Sequence, residues 1–428
     1  MSQPSEKDIA FGTRFAYGLL ALPIAVAGLP VYLQMPQFYA EMTGLSLGAL
    51  GMILFLVRFI DTVQDPIIGS LSDRGNARGM PRVRQMRLAL PFFVMGFFAL
   101  VMPTPEIAAV WLAVSLIILY TSFSFLTVNY YALGTSLVQG EAAQTRLSTW
   151  REGMVLVGIL LGSVVPQIMV NAYGKAYGYM IFAMVLGGLA LVMMPRVLRR
   201  LEPQLAEEDT TNMQAASPWK AMKDSWHESR LRALFGAYLA NGLANAFPAT
   251  LILFYVSDVL GAEDQAGYLL GAYFAAGILC MPLWAWVATR IGAAQAWVLS
   301  MVIAGVVFFP SAMLGEGDVA AFYVICVLSG ACLGADMAMP PSILSHILKG
   351  RSAEAGGFFG IYNLLFKLGL ALAAGIGLPL LASLGYAPET EGSEGLQALA
   401  WLYGGIPAFL KLSTAIVTWM LLIKPKAQ

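Results

Sequence analysis

The stretch LVRFIDTVQDPIIGSLSDRG, Leu56–Gly75, decides how the rest of the chain is read. Its first half is as apolar as a membrane span, yet it carries Arg58, Asp61 and Asp65. Steps of three and then four residues set all three on one helical face. A charge at the bilayer centre costs at least ~2.5–3.5 kcal/mol on insertion scales. Three on one face therefore need a polar cavity or one another. Two readings follow. In one, an Arg58–Asp61 ion pair locks helix packing, which leaves Asp65 without a role. In the other, Asp61 and Asp65 hold a coupling cation, either sodium on oxygen ligands or a proton on a buried carboxylate.

The remainder of the chain supports a lipid setting. Of 428 residues, 58% are hydrophobic and only 12% charged, with a mean hydropathy of +0.71. A soluble domain carries roughly a quarter charged residues. A window of about twenty residues predicts twelve spans, near 15–38, 46–71, 86–104, 107–133, 147–172, 176–196, 233–258, 266–289, 294–314, 319–346, 356–386 and 397–423. The expected architecture is an all-α membrane protein. Its twelve transmembrane helices form two pseudo-symmetric six-helix bundles, residues 1–200 and 230–428, joined by a cytoplasmic linker over 201–229. Within that linker, SPWKAMKDSW reads as a short amphipathic helix. The halves also echo each other: Pro66 precedes Arg74, and Pro282 precedes Arg290, by the same interval in the second and eighth spans. Duplicated halves place a transport site between them.

Lys and Arg set the orientation. Arg74, Arg78, Arg82, Arg84 and Arg87 follow the second span; Arg196, Arg199, Arg200, Lys220, Lys223, Arg230 and Arg232 surround the linker. Arg290, Lys349, Arg351, Lys424 and Lys426 lie on the same side. Opposite loops carry Glu41, Glu106, Asp258, Glu263, Asp264, Glu316, Asp318, Glu389, Glu391 and Glu394, with Lys175 the lone basic residue. Both termini are thus expected in the cytoplasm of a plasma (inner) membrane protein. Glu6 and Asp8 beside Lys7, and the length of the first apolar run, argue against a cleaved leader.

Several function classes are excluded. A net charge of zero gives no nucleic-acid footprint. Cys280, Cys326 and Cys332 sit in apolar runs without metal spacing and read as packing thiols. There is no HExxH or GxSxG, and Asp336 in LGADM does not match an intramembrane aspartyl-protease setting. Asp61 and Asp65 share one helix, which suits ion coordination better than acid–base catalysis. No enzyme, catalytic residue or cofactor beyond a coupling ion is expected.

The other intramembrane charges are few. Arg151 and Glu152 open the fifth span, with Arg146 a turn nearer the headgroups; Lys367 lies in YNLLFKLGLALAAG. Lys367 has no charged neighbour within two turns, so the Asp61/Asp65 face is its expected partner. Asp336 and His346 flank MAMPPSI, where the paired prolines are expected to break the tenth helix and line a cavity.

At these residues a family resemblance emerges. RFIDTVQDPIIGSLSDR resembles the second helix of the glycoside–pentoside–hexuronide cation symporters, the melibiose-permease-like branch of the major facilitator superfamily. NYYALGTSL with RLSTWREGMVLVG is similar to that family's fourth-to-fifth helix segment, and YNLLFKLGLALAAG to its eleventh helix. The resemblance implies the major facilitator fold and cation-coupled symport of a sugar or glycoside by alternating access. It implies that Asp61 and Asp65 bind the cation, helped by Thr127 and Thr62, with Arg58, Lys367 and Arg151 as the charge network. Tyr120, Asn129, Tyr131, Asn363 and Asp336 would line the substrate cavity. No metal beyond a sodium at Asp61 and Asp65 is implied.

The departures are informative. The family's sugar-gripping carboxylate on the first helix falls at Ala25, its fourth-helix aspartate at Thr127, and its stacking tryptophan at Tyr131. The lysolipid symporters of animals resemble the same branch, so a non-sugar amphiphile is the alternative solute, as is a proton-coupled or uncoupled carrier. The expected partners are that solute and the lipid bilayer, for a monomeric chain.

Overall fold

In hydrocarbon every backbone N–H and C=O must be satisfied within its own segment, so long apolar runs can cross lipid as helices. The computed structural model describes residues 10–45, 47–138, 140–204, 218–262, 265–349, 351, 354–386 and 393–424, and these are helical almost throughout. The helices of the first half are α1 (Phe11–Leu19), α2 (Ala21–Leu29), α3 (Met35–Thr43), α4 (Leu47–Ala77), α5 (Arg82–Val101), α6 (Ala108–Leu137), α7 (Glu141–Tyr173) and α8 (Lys175–Leu201). Next come α9 (Pro218–His227), α10 (Ser229–Phe254), α11 (Ala266–Ile291), α12 (Ala293–Phe308), α13 (Val319–Ile347), α14 (Ala355–Ser383), α15 (Ser393–Ala400) and α16 (Ile406–Thr418). A π-helical turn over Pro30–Gln34 joins α2 to α3, so α1 to α3 make one span. Another over Trp401–Gly405 joins α15 to α16 in the last. Twelve spanning segments result among the described residues, with α9 between the sixth and seventh. Linker residues 205–217 and the loop charges Glu263, Asp264, Glu389, Glu391 and Lys426 lie outside the described residues.

Eleven of these segments are long and apolar enough to cross a membrane. The twelfth is α4, which has the length but carries Arg58, Asp61 and Asp65 within its apolar run. The paired prolines do not break the tenth segment: α13 runs unbroken through Pro340 and Pro341. A proline removes one helical hydrogen bond and crowds the carbonyl four residues back. Here Gly334–Asp336 and Ala338–Ser345 are all buried, so packing holds the turn. Close neighbours are what let membrane helices keep proline.

By internal contacts the chain divides into two units, residues 1–223 with 348–364, and residues 224–347 with 365–428. In the first unit α5 packs on α6, α2 on α7, and α4 on α6. Tyr17 and Tyr130 lock α1 to α6 reciprocally: each hydroxyl donates to the other's carbonyl, at 3.0 and 2.8 Å. In the second unit α13 packs on α11 and α12, and α16 on α10 and α12. One of its apolar clusters is built on the stacked rings of Tyr255 and Tyr403, 4.0 Å apart, with Phe322 beside them.

Within the first unit the start of α14 lies directly on α4. A Cβ at Gly69 would collide with the Gly356 carbonyl, and one at Gly360 would sit 2.5 Å from the Asp65 carbonyl. Small residues at such crossings let backbones touch. Gly69→Val is therefore expected to force α4 and α14 apart and destabilise the fold by about 1–3 kcal/mol. The check is the melting temperature of the detergent-solubilised protein; an unchanged value would contradict the close crossing.

Candidate functional site

On α4 the side chains sort by face. Phe55, Phe59, Val63, Ile67 and Leu71, four residues apart, are all exposed and form a lipid-facing stripe. Asp65, Pro66 and Ile68 are buried, and Arg58 and Asp61 are half-buried, on the other side. Asp65 is 0% exposed. The charges thus point away from lipid, toward protein.

There α6 supplies polar groups. Ser124 Oγ donates to Asp61 Oδ1 at 3.4 Å, and Gln64 Nε2 donates to the same oxygen at 3.1 Å. Thr121 Oγ1 donates in turn to Gln64 Oε1 at 3.0 Å. Thr62 turns its hydroxyl back to the Arg58 carbonyl, 2.8 Å away. Thr127 lies one turn beyond Ser124, and its Oγ1 is covered with no hydrogen-bond partner among the described residues. A covered hydroxyl that skips the usual bond to its own helix keeps its oxygen for another partner.

A second cluster gathers around Arg151. Its Nε donates to Glu152 Oε1 at 2.8 Å, and its guanidinium lies 3.8 Å from the centre of the Tyr131 ring. Tyr131 OH donates to the same Glu152 oxygen at 3.2 Å. Arg151 NH1 donates to Tyr17 OH at 3.4 Å. Phe359 and Tyr362 flank the Tyr131 ring with centroids 5.4 and 5.9 Å away. The result is an aromatic wall with a paired guanidinium, both predicted members, Arg151 and Tyr131, being in contact. Tyr120 packs against the core of this unit. Ala25 lies against α7: a Cβ on Gly158 would be 2.6 Å from the Ala25 Cβ. The same added Cβ would lie 3.1 Å from the Leu22 carbonyl, so α2 and α7 approach closely at this level.

Asn129 belongs elsewhere. It accepts a 2.6 Å hydrogen bond from Ser72 Oγ, which itself accepts from Arg82 NH1 at 2.9 Å. Arg82 pairs with Asp73 at 2.7 Å, both nearly fully buried. The Asp73 carboxylate also accepts the N–H groups of Gly356 and Gly357, at 3.0 and 2.7 Å, at the start of α14. Helix N-termini present unpaired N–H groups to anions. Asp73 thereby caps α14 from α4, and Asn129 joins that chain instead of the expected substrate cavity beside Tyr131.

In the second unit Asp336 is 8% exposed and fully engaged. Lys411 Nζ donates to Asp336 Oδ2 and to Asn245 Oδ1, each at 2.5 Å. Trp297 Nε1 donates to Asp336 Oδ1 at 3.1 Å, and Asn245 Nδ2 to Oδ2 at 3.2 Å. Four helices, α10, α12, α13 and α16, meet at this carboxylate. Asn363 and Lys367 sit half-buried one turn apart on α14, the first in the first unit and the second in the second.

Residues 14–424 match the model of the family described as MFS/sugar transport protein. The chain belongs to that family. This transporter is similar to the inner membrane symporter YicJ of Escherichia coli, with 24% identity covering 90% of this chain and 86% of the relative. It is similar also to the sodium-dependent lysophosphatidylcholine symporter 1 of Gallus gallus, at 21% identity over 95% and 86% of the two chains. Its fold matches the crystal structure of the Escherichia coli fucose:proton symporter, with a TM-score of 0.70, 14% identity and coverage of 98% and 100%. It is thus an integral membrane secondary transporter of the major facilitator superfamily and not an enzyme.

Sequence reasoning missed three parts of the transporter's polar interior. Lys411 went unnoticed, although a lysine inside IPAFLKLSTAIV is itself a signal of an intramembrane partner. Arg82 read as a loop charge, whereas it is 3% exposed. Gln64 and Ser124, the groups that reach Asp61, carry no charge and no distinguishing spacing.

Proposed function

We propose that this transporter is a cation-coupled symporter of a sugar or glycoside whose coupling ion, sodium or a proton, sits at Asp61 and Asp65. The observation that carries the reading is the burial of Asp65 on the face of α4 opposite its lipid stripe. An ionised carboxylate there needs a cation close by. Ser124 and Gln64 orient Asp61, and Thr127 offers an oxygen. Thr62 stands ready on α4 itself, Arg58 and Lys367 balance charge when the ion leaves, and Arg151 and Tyr131 form the substrate wall. Tyr120 and Asn363 extend the lining of the transport path, whereas Asn129, held by Ser72, and Asp336, held by Lys411, are left out of it. Two bundles, residues 1–200 and 230–428, joined by 201–229, open alternately to either side with both termini cytoplasmic, and the monomer is the working unit.

The sugar reading rests on the family description and on Tyr131, whose ring suits a pyranose face. A second reading, an amphiphilic solute such as a lysolipid, is favoured by the close packing of Ala25 on Gly158. The test is thermal stabilisation of the purified protein in sodium buffer. Sugars, glycosides and uronates form one arm, lysolipids and amphiphilic anions in nanodiscs the other. Stabilisation by a glycoside supports the first reading, and stabilisation by amphiphiles alone replaces it. Tyr131→Ala is expected to weaken a stabilising glycoside by about 1 kcal/mol, roughly fivefold in apparent Kd. Unaltered affinity in that variant would remove Tyr131 from the substrate wall.

A further inference from the structure

Adjacent residues of a helix do not face each other. On α7, Arg151 and Glu152 meet all the same: Arg151 Nε donates to Glu152 Oε1 at 2.8 Å. Both side chains turn toward Tyr131 of α6. Its ring centre lies 3.8 Å from the guanidinium, and its hydroxyl donates to the same Glu152 oxygen at 3.2 Å. Arg151 and Glu152 are almost fully buried, at 2 and 3% exposed. Phe359 and Tyr362 of α14 stand against the Tyr131 ring, which gives the pair an aromatic surround.

The contact leaves capacity unused on each side. Arg151 NH2 is covered and has no hydrogen-bond partner among the described residues. Glu152 Oε1 accepts both donors, while Oε2 accepts none among the described residues. An arginine and a carboxylate that only hold a fold together commonly close as a fork of two parallel bonds. Here Nε alone is engaged. A covered donor without a partner is costly and calls for an explanation.

We propose that Glu152 is a specificity-determining residue that, together with Arg151, selects neighbouring hydroxyls of a neutral glycoside. One hydroxyl donates to Glu152 Oε2 and the next accepts from Arg151 NH2. A carboxylate only accepts and a guanidinium only donates, so an unused one of each beside the other fits a group that does both. Glu152 already matches the charge of Arg151, so the site calls for no net charge in the solute. A carboxylate or phosphate has nothing to donate to Oε2 and meets a like charge there. A phosphocholine matches both charges but also lacks a proton for Oε2. Its ammonium needs an aromatic face, and Tyr131 already stacks on Arg151.

The assignment rests on the sugar reading proposed above, and the test separates the two. Thermal stabilisation of the full-length protein in sodium buffer is measured for wild type and Glu152→Gln. The neutral probes are methyl glucopyranoside, methyl galactopyranoside and methyl xylopyranoside. The charged ones are the uronate of each hexoside, and lysophosphatidylcholine in nanodiscs. A neutral glycoside should stabilise wild type, and its uronate should not. In Glu152→Gln the apparent Kd of that glycoside should rise at least about tenfold, while the uronate loses nothing. Removing the responsible hydroxyl from the glycoside should weaken binding to wild type but cost the variant nothing further. Equal glycoside affinity in the two proteins overturns the role of Glu152 and leaves the sugar reading standing. A variant that loses every probe alike has a packing defect, which overturns it too. A uronate held by wild type as tightly as its glycoside overturns the neutral class, a result that needs no variant. Stabilisation by lysophosphatidylcholine alone overturns the sugar reading and this assignment together.

Discussion

Asp65→Asn is expected to abolish cation-driven accumulation while leaving a folded protein. The side chain is 0% exposed, and asparagine keeps its shape while removing the charge that attracts a cation. Losing one charged partner of this kind costs about 1.5–3 kcal/mol, roughly ten- to a hundredfold in ion affinity. Sodium, or a lowered pH for a proton-coupled carrier, should then cease to raise the melting temperature, and solute should equilibrate without concentrating. The alternative, in which Arg58 and the carboxylates merely lock helices together, predicts lower stability with intact coupling. Uptake by Asp65→Asn with undiminished cation dependence would sink the assignment.

Lys411→Met is expected to be the most destabilising single change in the second unit. It leaves the Asp336 carboxylate, 8% exposed, without the cation that touches it. Stranding one member of a buried pair costs about 3–5 kcal/mol. Trp297 and Asn245 still donate to Asp336 and soften the loss. Adding Asp336→Asn to Lys411→Met should restore most of the stability, because the uncompensated charge is gone. A melting temperature unchanged by Lys411→Met would show that the pair contributes little; a double variant no better than the single would show that the defect is one of packing.

The number and kind of elements were legible because the membrane imposes a one-dimensional rule: about twenty apolar residues and internally bonded backbone. The twelve spans fall where α1 to α8 and α10 to α16 lie, with edges displaced by a few residues. Proline chemistry misled at α13, since propensity describes a helix in isolation while burial of Gly334–Asp336 and Ala338–Ser345 holds this one unbroken. The charged face of α4 was legible because helical period and dehydration cost act along a single helix. The family resemblance indicated Arg151 and Tyr131 in separate roles, and their contact with each other and with Glu152 came with the structure.

The sequence by itself determined the solvent of this protein, the count of its spans, its family, and the helix face on which Arg58, Asp61 and Asp65 lie. Those properties follow from composition and from spacing within one helix. Only the tertiary structure decided what meets those groups from other helices. Ser124 of α6 reaches Asp61, Asp73 caps α14 through Gly356 and Gly357, and Lys411 of α16 joins Asp336 of α13. Such pairings join residues 63 to 284 positions apart, as with Ser124–Asp61 and Asp73–Gly357. Local propensity says nothing about them, because packing between helices alone sets which faces meet.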